Sequence, residues 1–264
     1  MVSQYIISVI AGWGAGVVTG IIGASAAAVI VPVFITFLDI PAFEAIGISL
    51  ATDVVASLVA ANTYRKNGNI DLKSGIQMAI SAVVGAIIGS WISSYVPSVG
   101  LGGFTGFAIL LIGINFIRKP LHQRIQSIQE KHKNNPNISN VNRITSSILW
   151  GLLIGVMAGF VGAGGGVMIL LILTLVLRYR IHVAVGTSVL IMAFTALSGA
   201  VSHALYAPTP IPLDLLAFAI VGGAVGSKMA AIFANKVSEE KLSKIAGVAF
   251  ILLGAMTIID GIIS

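Results

Sequence analysis

The sequence predicts an all-α integral membrane protein: about ten membrane helices or half-helices in two inverted five-element repeats, with glycine-rich helix breaks. Three observations lead there. The composition cannot make a hydrated surface, two hydrophobic blocks are too long for single spans, and the glycines recur at a fixed offset. Of 264 residues, 57% are hydrophobic and 9% charged, where a soluble domain carries roughly 25% charged residues. Mean hydropathy is +1.02. The absence of cysteine excludes disulfides and thiolate metal sites. The excess of 15 Lys and Arg over 9 Asp and Glu reads as loop orientation in a membrane, not as a nucleic-acid surface.

Polar or proline-bearing joints fall near 39–44, 64–73, 95–99, 118–143, 178–182, 206–214 and 235–241, and delimit eight blocks. The N-terminal segment, Met1-Val-Ser-Gln-Tyr-Ile-Ile, lacks the basic n-region of a signal peptide and reads as the start of the first membrane helix. The first block runs from Gln4 to Leu38, and the fifth from Ile144 to Leu177. Each would be about 50 Å long as one helix, against a hydrocarbon core of about 30 Å. Both must fold back on themselves. At the middle of each lies a run of small residues, Ile21-Ile-Gly-Ala-Ser-Ala-Ala-Ala-Val29 and Phe160-Val-Gly-Ala-Gly-Gly-Gly-Val-Met168. Glycine costs about 1 kcal/mol against alanine inside a helix, so Gly162-Ala-Gly-Gly-Gly166 reads as a turn or break. Each long block therefore counts as two elements, either short spans or a re-entrant hairpin.

The charges agree with that count. With residues 1–3 on one side, loops 39–44, 95–99 and 206–213 share it and contain no Lys or Arg. Every basic residue except Lys228 falls on the other side. The positive-inside rule makes that side the cytoplasm and leaves both termini outside. Eight unbroken spans would scatter the same charges over both sides.

Shifting the chain by 139 residues aligns its halves. Gly12, Gly16, Gly20, Gly23 and Gly47 fall on Gly151, Gly155, Gly159, Gly162 and Gly186. With 30 glycines in 264 residues, chance would supply fewer than one such pair. The division is 1–117 for the first membrane repeat, 118–143 for a basic cytoplasmic linker and 144–264 for the second repeat. In the linker, Leu121, Ile125 and Ile128 either form a short interfacial face or belong to a solvated connection. An odd number of elements inverts the second copy. Inverted repeats with interrupted helices point to a secondary transporter with a midplane site.

These motifs resemble the TauE/SafE sulfite exporter family, also called the unknown-function-81 group of membrane permeases. The residues that carry the resemblance are Gly159-Phe-Val-Gly-Ala-Gly-Gly-Gly166 and Ala184-Val-Gly-Thr-Ser188, with degenerate copies Gly20-Ile-Ile-Gly-Ala-Ser25 and Ala45-Ile-Gly-Ile-Ser49. A proline that often follows the glycine motif is present as Pro32 and replaced by Leu171 in the second copy. The resemblance implies transport of small sulfur-containing or carboxylate anions such as sulfite or sulfonates.

Small residues at a tip let backbones approach and expose the N–H groups that open the next helix. A helix start offers four such groups and a partial positive charge of roughly half a unit, an anion site without a charged side chain. The candidate substrate-binding residues are therefore Gly23, Ala24, Ser25, Ser49, Gly162, Ala163, Gly164, Gly165, Gly166, Gly186, Thr187 and Ser188. The competing reading is that the glycines only permit close packing. It is preferred for Gly12, Gly16, Gly20 and their partners, spaced by four. The hydroxyls either complete a binding shell or bond their own helix backbone. Asp53, one turn after Ser49, either carries a coupling proton or pairs with a hydroxyl. His203 reads as solvated at the outer interface, and Lys228 as snorkelling or anion-attracting.

No catalytic constellation, metal cluster or nucleotide loop is present in the sequence, so neither enzyme activity nor a cofactor is expected. The expected partners are a small anionic substrate, the lipid bilayer and a coupling proton or cation; homo-oligomerisation is left open. The expectation is a permease working by alternating access in the cytoplasmic membrane. The alternative is a passive small-anion channel using the same tips.

Overall fold

The computed structural model describes residues 2–118, 140–162, 165–175, 179, 181–233, 248, 251–255 and 258–259. Among these residues there are nine bounded helices. The first five are α1 (Val2–Ile22), α2 (Ala27–Leu38), α3 (Ala42–Lys66), α4 (Leu72–Ser93) and α5 (Ser98–Arg118). After the linker come α6 (Asn140–Val161), α7 (Gly165–Leu175), α8 (Ile181–Tyr206) and α9 (Leu213–Phe233). Residues 251–255 are also helical. Five helices, α1, α3, α4, α8 and α9, are long and apolar enough to cross a membrane. The linker face at Leu121, Ile125 and Ile128 lies outside the described residues, and helix α6 begins at Asn140, inside the expected linker.

Both long blocks are interrupted where the length argument requires. Helix α1 ends one residue before Gly23, whose φ of +64° is left-handed, and α6 ends one residue before Gly162, with φ of +70°. A side chain is strained in that conformation and glycine is not. The helices that follow, α2 and α7, have 12 and 11 residues. At about 1.5 Å per residue each covers less than 20 Å, short of a hydrocarbon core of about 30 Å. Helix α2 ends at Asp39, left-handed at φ 53°, and the Ile40 N–H donates to the Phe34 carbonyl over 3.1 Å. The Tyr179 N–H makes the matching bond to Leu173 over 2.9 Å.

The remaining packing is built on backbone contact. A Cβ at Gly12, Gly16 or Gly20 would run into the carbonyls of Ala219, Gly223 or Ser227 on α9. A Cβ at Gly155 or Gly159 would meet the carbonyls of Ala82 or Ala86 on α4, and one at Gly151 would meet Met78 and Ser81. These glycines pack, as their four-residue spacing indicates. The first helix after each terminus or linker therefore lies on the fourth helix of the other half of the chain. The longest helices, α3 and α8, cross at the centre and carry many of the buried residues.

Gly155→Leu should lose several kcal/mol, because overpacking a filled core typically costs about 1–3 kcal/mol and here the obstacle is backbone. Gly103, where a Cβ would meet nothing within 4 Å, is the control: Gly103→Ala should be neutral or stabilising by up to about 1 kcal/mol. Thermal unfolding of the detergent-solubilised variants, followed by size exclusion, checks both.

Candidate functional site

The site forms where the two breaks meet α3. Asp53 lies halfway along that helix and is 1% exposed. Its carboxyl faces the start of α2, where an alanine at the cap position supplies no side-chain acceptor. Asp53 does this from another helix: Oδ1 accepts from the Ala26 N–H over 2.8 Å. Thr19 Oγ1 donates to the Ala24 carbonyl over 2.8 Å and lies 3.4 Å from the same Oδ1. Carboxylates are favoured at helix starts because the unpaired N–H groups and the dipole point at them. Ser25 Oγ lies 2.5 Å from Asp53 Oδ2 and 2.7 Å from the carbonyl oxygen of Gly162, and accepts from the Ala27 N–H over 3.3 Å. One serine therefore ties the first break to the second.

The second break answers from the other side. Gly162 sits against Ile46, Ser49 and Ala27, with a Cβ there 3.2 Å from Ser49 Oγ. Gly23 sits against Ser188, a Cβ there being 3.0 Å from Ser188 Oγ. Gly166, in the first turn of α7, lies on the carbonyl of Gly23 and beside the sulfur of Met192. Met192 occupies the position matched to Asp53 by the 139-residue offset. The start of α2 thus faces a carboxyl and the start of α7 a thioether.

The structure brings together Gly23, Ala24, Ser25, Ser49, Asp53, Gly162, Gly166 and Ser188 around the two breaks, and Gly165 is the first residue of α7. Ala163 and Gly164 lie outside the described residues. Ser49 and Ser188 donate to the carbonyls of Ile46 and Val185 on their own helices, over 2.7 and 2.9 Å, the backbone-bonding alternative. Gly186 and Thr187 are elsewhere. Thr187 Oγ1 accepts from the Asp71 N–H over 3.0 Å, and Gly186 lies on the Asn69 carbonyl, so both hold the α3–α4 turn. His203 is a correction. Instead of meeting solvent it is 0% exposed, with Nε2 2.8 Å from the Gly159 carbonyl and Nδ1 3.1 Å from that of Phe43. The reason is that α8 lies against α3 and α6 at that depth. Thr19, Tyr64 and Met192 were not singled out from sequence. For Tyr64 a signal existed: its hydroxyl bonds the Gly20 carbonyl at 3.3 Å, the offset partner of the His203–Gly159 contact.

Two cavities flank this cluster along α3. One, of about 560 Å³, is lined by Gly47, Ala51, Ala200, Thr209 and Ile211 near the start of α3. The other, of about 550 Å³, lies at its far end among Asn62, Thr63, Lys66, Asn67 and Lys228. Asp53 and the breaks stand between them. Among the described residues, no group of three His, Asp or Glu could hold a metal ion.

Residues 8–257 match the family described as Sulfite exporter TauE/SafE. The chain belongs to the TauE/SafE family. Across its length it resembles the Bacillus subtilis (strain 168) protein named Probable membrane transporter protein YunE, at 28% identity over 99% of this chain and 100% of that one. It also resembles Probable membrane transporter protein YdhB of the same organism, at 26% identity over 83% of this chain and 86% of that one. No solved structure matches. This TauE/SafE protein is a multi-pass membrane transporter and not an enzyme.

In this TauE/SafE chain, Ser25→Ala leaves the Gly162 carbonyl without its donor and should cost about 1–3 kcal/mol, the penalty for an unsatisfied buried group. Ser49→Ala and Ser188→Ala remove only bonds within one helix and should cost under about 1 kcal/mol. Midpoints of thermal unfolding for the three variants test the ordering.

Proposed function

We propose that this protein is a secondary permease that moves a small anion, sulfite or an organosulfur anion such as a sulfonate, across the cytoplasmic membrane by alternating access. The observation that carries the reading is the pair of similar cavities at opposite ends of α3, separated by two interlocked helix breaks. An anion reaching the breaks meets backbone N–H groups and hydroxyls. Asp53 Oδ1 at the start of α2 supports the idea that such a start offers its N–H groups to an acceptor oxygen. The equivalent place at α7, beside Met192, is the one we assign to the substrate.

We further read the chain as two inverted five-element repeats. The support is a set of features displaced by 139 residues: left-handed Gly23 and Gly162, the bonds Ile40–Phe34 and Tyr179–Leu173, and the contacts Tyr64–Gly20 and His203–Gly159. The short α2 and α7 favour re-entrant hairpins over full crossings. The cavity bearing Lys66 and Lys228 is then cytoplasmic, both termini lie outside, and the lysines draw anions towards the breaks.

Purified protein in liposomes should exchange labelled sulfite or a labelled sulfonate by saturable counterflow. An ohmic anion current without counterflow would instead mark a channel, and no movement of sulfite, thiosulfate, sulfonates or carboxylates would end the permease reading. Lys66→Gln combined with Lys228→Gln should raise the cytoplasmic-side KM roughly three- to tenfold at low salt, with kcat little changed. Initial rates in vesicles of both orientations measure this.

A further inference from the structure

The hydrogens around Ser25 do not add up unless Asp53 carries one. Ser25 has a single hydroxyl hydrogen and two close oxygen neighbours, Asp53 Oδ2 at 2.5 Å and the Gly162 carbonyl at 2.7 Å. The carbonyl can only accept. If Asp53 is ionised it can only accept as well, so one of the two contacts sets acceptor against acceptor in a buried site. A proton on Oδ2 resolves every bond at once. Oδ2–H donates to Ser25 Oγ, Ser25 Oγ–H donates to the Gly162 carbonyl, and Oδ1 keeps the Ala26 N–H. Thr19 meanwhile donates to the Ala24 carbonyl, its shorter contact.

We propose that Asp53 is a proton-binding site whose occupancy latches the two helix breaks together through Ser25, and that this proton travels with the transported anion. The first clause stands on the hydrogen-bond geometry; the second rests on the permease reading. When the proton leaves Oδ2 for water in an opened cavity, the Ser25 hydrogen turns to the carboxylate. The Gly162 carbonyl then loses its donor, and the contact between the breaks loosens. Charge acts in the same direction. An ionised Asp53 would place a fixed negative charge between the breaks, where a substrate anion must come. Protonation removes that charge, so anion and proton bind cooperatively and move in the same direction.

No other charged or titratable side chain faces Asp53 among the described residues. On its own helix Glu44, Tyr64, Arg65 and Lys66 lie more than two turns away. Of the helices packed on α3, α2 carries no titratable residue and α5 only Arg118 at its end. Helix α1 carries Tyr5, α8 carries His203 and Tyr206 in its last turns, and α9 carries Asp214 and Lys228. His182, on α8, is also titratable, and its side chain lies outside the described placements. The groups that touch the Asp53 carboxyl are Ser25, Thr19 and the Ala26 N–H.

Two measurements test the proposal, with Asp53→Asn as the variant. Asn fits the latch as the protonated acid does, its Nδ2 donating to Ser25 and its Oδ1 accepting from Ala26, so the variant should fold. The first needs no substrate. Infrared difference spectra of purified wild type against Asp53→Asn, from neutral to mildly acidic pH, should contain the carbonyl stretch of a neutral carboxylic acid. Ser25→Ala should shift that band. No such band at any of these pH values overturns the proton site. The second uses labelled isethionate, a sulfonate that stays ionised throughout. In wild-type liposomes with the membrane potential clamped, an acid-outside gradient should drive accumulation. Above the titration of Asp53, apparent affinity should fall about tenfold per pH unit, the slope for one linked proton. Asp53→Asn should keep counterflow and lose gradient-driven accumulation and the pH dependence. Accumulation by Asp53→Asn equal to wild type, or wild-type accumulation indifferent to the gradient, overturns the co-transport. If wild type moves no labelled anion at all, the permease reading fails, and the infrared comparison still decides the proton site.

Discussion

Interrupted backbone cannot be left bare inside a bilayer. A peptide group without a partner costs several kcal/mol in hydrocarbon, so non-helical chain at membrane depth persists only where protein or trapped water covers it. In this protein each break is covered by parts of the chain that carry or adjoin the other. The Gly162 carbonyl takes its hydrogen from Ser25, while Gly166 closes over the carbonyl of Gly23. The freed N–H groups at the start of α2 go to Asp53 and Ser25. Neither break has its full set of contacts without the other. The two long blocks, some 137 residues apart at Ser25 and Gly162, are therefore bound into one core although they never pair along their lengths.

Much of this architecture was legible in the sequence because membrane physics leaves few choices. A block of about 50 Å must fold back in a core of about 30 Å, and the small residues marked where. Gly23 and Gly162 are indeed the turning residues, and the four-residue glycine series do form the helix contacts. The site was legible by type more than by role. Ser49 and Asp53 are one turn apart on α3, which the spacing shows. That Asp53 would cap α2, across a gap of 27 residues to Ala26, depends on how α2 leans on α3. No periodicity encodes that angle. Gly186 and Thr187 align with Gly47 and Ile48 of the first copy but meet the α3–α4 turn, because a motif copied at the start of a helix inherits whatever loop lies beside it. His203 looked interfacial by its place near a helix end. Its burial follows from neighbours on α3 and α6, which are distant in sequence.

The packing also constrains how such a transporter could move. If the two halves of the chain rocked as whole bodies, α1 would have to slide on α9 and α6 on α4. Those are the contacts in which glycines seat directly on carbonyls, and well-packed interfaces of this kind are bistable or fixed, not continuously deformable. Hydrogen bonds add to them. Ser227 donates to the Ala56 carbonyl over 2.6 Å, joining α9 to α3, and Ser198 Oγ, 3.0 Å from the Thr195 carbonyl of its own helix, lies 3.3 Å from the Val83 carbonyl of α4. The stiff groups are thus α1, α3 and α9 on one hand and α4, α6 and α8 on the other, each drawn from both halves. Between them lies the α3–α8 contact, where Gly199 rests on the Leu50 side chain and Gly47 on that of His203. Side chains can change rotamer at that boundary where backbone carbonyls cannot yield. A swing along α3 and α8 would open one flanking cavity as it closes the other, and would pull directly on the contact between Ser25 and Gly162. Among the described residues, the side-chain bond that joins the breaks, Ser25 to Gly162, lies between the two groups, so in the proposed alternating-access cycle its strength would set the balance between the two openings.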